Sequence, residues 1–327
     1  MPTAAAVIPH WNRRDLLETL LQSLRAQTRP FDEVIVVDNG STDDSAEFAE
    51  RAGATVLRLE RNLGFAPAVN RGIAAAQSER VAILNNDVTL DPAWLENLLA
   101  AASQTDTWFA TGKILNANNP KIIDGTFDEI SRGACAHRCG FGEADAPAWN
   151  QPKQIRFAPM TAALFRKDLF SKIGLLDESF RSYLEDVDFG MRCALEGCEG
   201  AYVPSAIAYH RGSATLGEWN KATVRQISRN QVLLAAKYFR GQPRWPIVAG
   251  QLLWGLLALR QGRALAWAGG KLAGMREARA IRSLSDSEEK VNRVGVILKA
   301  SEESILSGTR EGHLDSYWRA YFWLSRR

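Results

Sequence analysis

The chain opens with apolar runs that alternate with helical stripes, and this alternation restricts the fold more than any other feature. Ala4-Ala5-Ala6-Val7-Ile8, Val34-Ile35-Val36-Val37 and Val81-Ala82-Ile83-Leu84 are continuous apolar strands, with a further strand expected at residues 55–59. Strands that lack polar alternation are buried on both faces. Between them, residues 13–27 place Leu16, Leu17, Leu20, Leu21 and Leu24 on one helical stripe. Residues 45–51 and about 67–76 are expected to form two more helices. Short strand–helix repeats of this kind build a parallel sheet covered by helices on both sides.

Open α/β sheets bind ligands outside the carboxyl ends of their strands. The polar cluster in Leu84-Asn85-Asn86-Asp87-Val88 falls at such an end, ahead of Asp91-Pro92, a cap and first-turn proline for a helix continuing through Trp94. A carboxylate flanked by amides suits a hard divalent cation that keeps waters and bridges to phosphates. An ordinary turn accounts for the same residues. The first strand ends in Pro9-His10-Trp11-Asn12, which can wall a base or sugar pocket or simply pack as a loop. The second ends in Asp38-Asn39-Gly40-Ser41-Thr42-Asp43-Asp44. No G-x-G-x-x-G follows the first strand and no G-x-x-x-x-G-K-[ST] occurs, so neither a dinucleotide fingerprint nor a P-loop is present.

Farther on, strand-like pieces are expected at 109–115, 155–158 and 201–203, and a helix at 187–196. Glu185, Asp186 and Asp188 crowd the start of that helix. Its positive end accounts for one or two of these acids but not for all of them. His210 follows, within Tyr209-His210-Arg211. The four cysteines suit a reduced thiol set, and Cys135-x-His137-x-Cys139 matches no common zinc spacing. The start of the chain shows no basic n-region or long apolar core, so no secretory signal is expected.

At 327 residues the chain exceeds a usual single core. We expect a catalytic domain over residues 1–236, with a nucleotide-binding half to about 106 and an acceptor half over 107–236, and a helical region over 237–327. The net charge of +3 does not indicate a nucleic-acid partner. Charge is uneven, however: residues 237–282 hold nine basic side chains against the single acid Glu277. The segment also carries Trp245, Trp254 and Trp267, and its longest apolar run, 245–259, is too short to span a bilayer. Its makeup suits an interfacial helix on anionic lipid, with Arg260, Arg263, Lys271 and Arg282 on one side of an ideal helix. Packing on the catalytic domain or across a homodimer remains equally open.

Five stretches in order and register carry a resemblance. They are Val7-Ile8-Pro9-His10-Trp11-Asn12; Val36-Val37-Asp38-Asn39-Gly40-Ser41-Thr42-Asp43; Asn62-Leu63-Gly64-Phe65 with Asn70-Arg71-Gly72; Leu84-Asn85-Asn86-Asp87-Val88; and Glu185-Asp186-Val187-Asp188 with Arg192 and Gly197. Over residues 4 to 212 the chain resembles glycosyltransferase family 2, whose members are inverting, metal-dependent and of the GT-A fold. Within it, the chain is most similar to the rhamnosyltransferase-like branch that elongates bacterial cell-surface polysaccharides. The resemblance implies a Rossmann-like α/β domain with a mostly helical C-terminal extension. It implies a nucleotide-sugar site made from Pro9, Trp11, Asn12, Asp38, Asn39, Gly64, Asn70 and Asn86, with Asp38 accepting from the base. Mg²⁺ or Mn²⁺ would be held by Asp87, Asn85 and His210; Asn85 departs from the family's Asp-first motif. Asp186 would be the catalytic base and Glu185 the acid beside it. Asp188 has no fixed role, and Arg192 pairs with one of these acids or faces the diphosphate. The implied donor is dTDP-rhamnose, with UDP-sugars next, and the acceptor a glycan or lipid-linked glycan. The expected place is the cytoplasm, either free or, if the basic segment binds lipid, peripheral on the inner face of the cytoplasmic membrane. A sugar nucleotidyltransferase and a non-catalytic nucleotide-binding or membrane-associated scaffold are the alternatives. The first lacks its glycine-rich, lysine-bearing loop here, and the intact acids at 185, 186 and 188 speak against the second.

Overall fold

A computed structural model describes residues 2–212, 219–281, 283–284, 287–308 and 315–325. The chain divides into two compact units: Met1–Phe127 with Gly140–Thr215, and Asp128–Cys139 with Leu216–Arg327.

The first unit begins β1 (Ala4–His10), α1 (Arg14–Arg25), β2 (Glu33–Asp38), α2 (Ser45–Arg51), β3 (Thr55–Arg58), α3 (Phe65–Ala75) and β4 (Arg80–Leu84). It continues through β5 (Val88–Leu90), α4 (Trp94–Thr105), β6 (Phe109–Asn116) and β7 (Asn119–Gly125). The hairpin β8 (Asp128–Ile130) and β9 (Ala136–Arg138) belongs to the second unit. The chain then returns with β10 (Lys153–Ile155), β11 (Ala162–Arg166), α5 (Lys167–Ile173), α6 (Glu185–Leu195) and β12 (Gly200–His210).

One sheet holds these strands in the order β10-β12-β6-β11-β4-β1-β2-β3, with β5 on β12 and β7 on β6. β3, β2, β1 and β4 run parallel, as the apolar runs require. The α1 leucines are buried against Ile8, Val36, Leu84, Trp94 and Leu98 in a common core. The middle departs from expectation. Ala162-Ala163-Leu164-Phe165 forms β11, antiparallel to both β4 and β6, which makes the sheet mixed. The expected strand at 155–158 is reduced to the edge strand β10, ending at Ile155. β12 is an eleven-residue strand whose register with β6 shifts between Val203 and Ile207, so that Pro204 falls in the irregularity. α6 starts at Glu185 and not at 187, which places all three acids in its first turn.

The second unit adds α7 (Lys221–Tyr238), α8 (Arg244–Arg260), α9 (Ala264–Glu277), α10 (Glu288–Gly308) and α11 (Ser316–Ser325). The domain division expected at residue 236 thus falls inside α7, which lies wholly in the second unit. α9 packs closely on α7 because Gly270 and Gly274 meet the backbone of Arg225 and Arg229. Trp245 Nε1 on α8 donates to the Leu324 carbonyl at 2.9 Å, and the Tyr317 hydroxyl donates to the Gly250 carbonyl at 3.1 Å, tying α8 to α11. Tyr317, Trp318, Tyr321 and Phe322 are buried with Cys135 and Ile305, whereas Leu314 lies outside the described residues.

The basic side expected of one long helix is not formed. α8 and α9 are separate helices, and Arg263 Nε is bonded to the Trp219 carbonyl at 2.6 Å. Burial lowers Lys271 to about 8, and its ammonium donates to the side-chain carbonyls of Gln231 and Gln251. Arg282 lies outside the described residues. All four cysteines are buried free thiols.

Candidate active site

The sequence-derived residues gather along the carboxyl ends of β1, β2 and β4, the start of α6 and the end of β12. β1 and β2 run in register to His10 opposite Asp38, so their following loops emerge side by side. Asn12, in the left-handed region at φ 53°, joins the loops: its Oδ1 accepts from Thr42 N at 2.8 Å, and its own N–H donates to Ser41 Oγ at 2.8 Å. Asp38 is buried, with Oδ1 3.3 Å from the Ser41 amide. Trp11 is exposed and Pro9 half-buried beside it.

Asn39 and Asn70 serve the framework. Asn39 is buried; its Oδ1 accepts from Leu63 N at 2.9 Å and its Nδ2 donates to the Gly64 carbonyl at 2.9 Å. Gly64, at φ +103°, lets the backbone of Arg181 approach: a Cβ there would sit 2.9 Å from the Arg181 carbonyl oxygen. The buried Asn70 amide clamps the loop before α6, donating to the Leu176 carbonyl at 2.9 Å and to Glu178 at 3.0 Å, and accepting from Leu176 N at 3.0 Å. Both asparagines thus hold together the loops that wall the site. The clamped loop carries positive φ at Arg181, Tyr183 and Leu184, a strained approach of the kind found where a helix start must be aimed.

At the end of β4, Asn86 Nδ2 lies 3.0 Å from His10 Nδ1. Burial lowers His10 to about 4, outweighing the nearby acids Asp43 and Asp38, so the imidazole is neutral and Nδ1 accepts. His10 Nε2 is buried without a hydrogen-bond partner among the described residues. Asp87 precedes β5, whose antiparallel pairing sets Val88 opposite His210. That register brings Asp87 Oδ1 to 3.2 Å from His210 Nε2, while His210 Nδ1 bonds Asp124 at 2.7 Å. Burial opposes charge on His210, yet the hydrogen bonds of Asp124 and Asp87 prevail and push it up to about 9.

This arrangement fits a divalent cation. Adjacent ligands at about 2.1 Å from an octahedral ion lie about 3 Å apart, close to the Asp87–His210 separation. The carboxylate of Asp124 fixes the imidazole from behind, as partners of metal-binding histidines do. No three His, Cys, Asp or Glu side chains form a metal cage among the described residues. Asp87 and His210 with neighbouring amides suit an ion that completes its shell with waters and phosphate oxygens. Asp124 carried no signal in the sequence, since its partner lies 86 residues away.

The acids of α6 have separate environments. Asp188 is fully buried and meets Arg192 Nε at 3.1 Å, and Arg192 also donates to the Ile173 carbonyl at 3.0 Å. Arg192 therefore pairs with Asp188 and ties α6 to the end of α5. Burial first, and then the charge of Asp186, hold the Glu185 carboxyl well above its usual range and so favour its protonated form. Asp186 stands half-buried at the positive end of the helix, its Oδ1 accepting from Val187 N at 2.8 Å. On the other face of the β5–β12 ribbon, a cleft of about 710 Å³ is lined by Arg13, Thr89, Ala117, Asn118, Tyr209 and Arg211. Thr89 and Tyr209 alternate with Val88 and His210 and so point away from the His210 side chain.

A mixed sheet with its polar groups gathered at these strand ends is the architecture of a GT-A glycosyltransferase. The solved structure of GalNAc-T7 with UDP, GalNAc and Mn²⁺ aligns over 94% of this chain and 58% of its own, with a TM-score of 0.65 at 15% identity. The mannosyltransferase PcManGT from Pyrobaculum calidifontis, with GDP-Man and Mn²⁺, aligns over 98% and 86% with a TM-score of 0.54 at 17% identity. The sequence model for glycosyl transferase family 2 matches residues 5–174, just over half the chain, and the chain belongs to that family. Among relatives, an O-antigen biosynthesis protein of Myxococcus xanthus is 29% identical over 65% of this chain, which spans only 18% of that longer protein. The N-acetylglucosaminyl-diphospho-decaprenol L-rhamnosyltransferase of Mycobacterium tuberculosis is 28% identical over 75% of this chain and 87% of its own length.

Proposed function

We propose that this glycosyltransferase moves a sugar from a nucleotide-diphosphate donor to a hydroxyl of a lipid-linked glycan in cell-surface polysaccharide synthesis, with inversion. dTDP-rhamnose is the favoured donor and UDP-sugars come next. Support for the acceptor class comes from the Mycobacterium relative, whose name specifies a diphospho-decaprenol substrate and rhamnosyl transfer.

The observation that carries the chemistry is the unequal treatment of the three acids that open α6. Asp188 is tied to Arg192 and Glu185 is buried with its protonated form favoured, whereas Asp186 is half-buried at the helix end. Asp186 takes the proton of the acceptor hydroxyl as that oxygen attacks the anomeric carbon from the face opposite the leaving group. Glu185, uncharged, keeps the local charge low and so leaves Asp186 the carboxylate of the site. Asp38 and the Asn12–Thr42 loop orient the nucleotide base beside Trp11. Asp87, His210 and Asn85 would hold Mg²⁺ or Mn²⁺, with Asn86 placed by His10 alongside. When bound, the cation neutralises charge on the departing diphosphate as a Lewis acid. No covalent enzyme intermediate is needed.

A donor panel of dTDP- and UDP-sugars, assayed with Mn²⁺ and a polyprenyl-diphosphate-linked sugar acceptor, tests this. Nucleoside diphosphate should appear together with an inverted glycoside. Release of free inorganic diphosphate from a sugar phosphate and a nucleoside triphosphate would overturn it.

A further inference from the structure

α8 and α9 depart from the usual rule for a surface helix, which buries its large apolar residues and exposes its polar ones. The fully buried residues of α8 are the small Pro246, Ala249, Gly250 and Ala258, with Leu253, Trp254 and Leu257 half-buried against the aromatic cluster of α11. It exposes Trp245, Val248, Leu252, Leu256 and Leu259, at 44 to 60% of their surface. At about 100° per residue these five fall within an arc of roughly 80°, a continuous ridge along the helix. α9 is similar: its fully buried residues are Gly270 and Gly274 and Trp267 is half-buried against Gly255 of α8, while Leu265, Leu272 and Met275 are exposed, Leu265 at 89%. Small residues at the closest helix contacts, with a large apolar ridge left outside, are the packing of helices whose solvent is lipid.

The charges around the ridge select among apolar partners. Arg244 and Arg260 stand exposed at the two ends of α8, each about 80° from the centre of the ridge and on opposite sides of it. Arg276 and Arg279 are exposed at the end of α9 and after it. The one acid in this stretch, Glu277, is held by Arg229. A second copy of the chain would bring these arginines against like charge, whereas a bilayer carrying anionic headgroups answers both the apolar ridge and its cationic flanks. No described helix is long and apolar enough to cross a membrane. α8, at 17 residues, reaches about 25 Å against a hydrocarbon core of about 30 Å.

We propose that α8 and α9 form an in-plane docking surface for an anionic lipid bilayer, with the α8 ridge in the acyl boundary and Arg244 and Arg260 at the headgroups. This goes beyond the transfer reaction above and does not depend on it, because it can be read without turnover.

Flotation of the full chain with phosphatidylcholine vesicles, with and without about one-third phosphatidylglycerol, tests it in low and in high salt. Binding should need the anionic lipid and weaken with salt. An Arg near such a surface is worth about fivefold in partitioning, so the double substitution Arg244→Glu, Arg260→Glu should reduce binding at least tenfold. Leu252→Glu with Leu256→Glu should abolish it while leaving the melting temperature and dTDP or UDP binding unchanged, since both side chains are already solvent-exposed. Absence of vesicle binding in low salt overturns the proposal. So does retention of full binding by the leucine variant. If that variant instead converts a dimer to a monomer with lipid binding unaltered, the ridge is a subunit interface and the proposal fails.

Discussion

The end of β4 and the start of α6 both concentrate acids, and they dispose of the charge in opposite ways. Asp87 and Asp124 share one imidazole, that of His210, whose positive charge they stabilise. A proton in that position is replaceable by a metal ion, because Nε2 and Asp87 Oδ1 already face each other at 3.2 Å. At α6 the charge is handled otherwise. Arg192 pairs with Asp188, and burial favours the protonated form of Glu185. One cluster is thus made to receive a cation, the other to present a single carboxylate. The proposed function gives cation binding to the first and proton transfer to the second, and it can be tested by separating the two.

The largest effect is expected at α6. Asp186→Asn should lower kcat by about 10²–10⁴, the usual worth of a positioned base, while donor affinity changes little. Steady-state rates and donor titrations with the same preparation check this. Near-normal kcat would transfer the role to Glu185 or Asp188.

At the other cluster the readout is the metal. Asp87→Ala should weaken Mn²⁺ affinity by more than the about 10–100-fold typical of losing an outer partner, and His210→Ala should weaken it less, because it removes no anion. Calorimetric Mn²⁺ titration in the presence of dTDP or UDP measures both. Asp124→Asn leaves both ligands in place but loosens the imidazole, so about 10–100-fold is expected. If Asp124→Asn binds Mn²⁺ as tightly as the unaltered chain, His210 is not oriented in this way.

A smaller effect is on stability against pH. His210 rises from an ordinary value near 6.5 to about 9 in the metal-free fold. The fold therefore prefers its charged form, and the resulting stability is complete below about pH 6.5 and lost as pH climbs through about 9. Metal-free protein should melt a few degrees lower at pH 9.5 than at pH 6.5 through this group. In His210→Gln that difference should shrink; an identical pH profile in the variant would show that His210 is not charged in the fold.

Much of this arrangement was legible in the sequence because apolar runs announce buried strands directly. β1, β2 and β4, the leucine stripe of α1 and the polar ends Asp38 and Asp87 were all visible that way. β11 was not, since Ala162-Ala163-Leu164-Phe165 has no turn signal to say that it enters the sheet antiparallel between β4 and β6. β5 has three residues, too few for any period to show. Asn39 and Asn70 had the look of ligand-binding amides. Their partners, 106 residues away for Asn70 and Leu176, become visible only in three dimensions. Asp124 was missed for the same reason. The apolar content of α8 was plain, but only burial shows that Trp245, Val248, Leu252, Leu256 and Leu259 face outward while Leu253, Trp254 and Leu257 pack inward.

The division of labour is tested most directly by nucleotide affinity measured with Mn²⁺ and with chelator in three proteins: unaltered, Asp87→Ala and Asp186→Asn. Mn²⁺ should tighten dTDP or UDP binding in the unaltered chain and in Asp186→Asn alike, and the gain should vanish in Asp87→Ala. A gain that survives in Asp87→Ala, or one lost equally in Asp186→Asn, would contradict the assignment of the cation to the β4 end and of the base to α6.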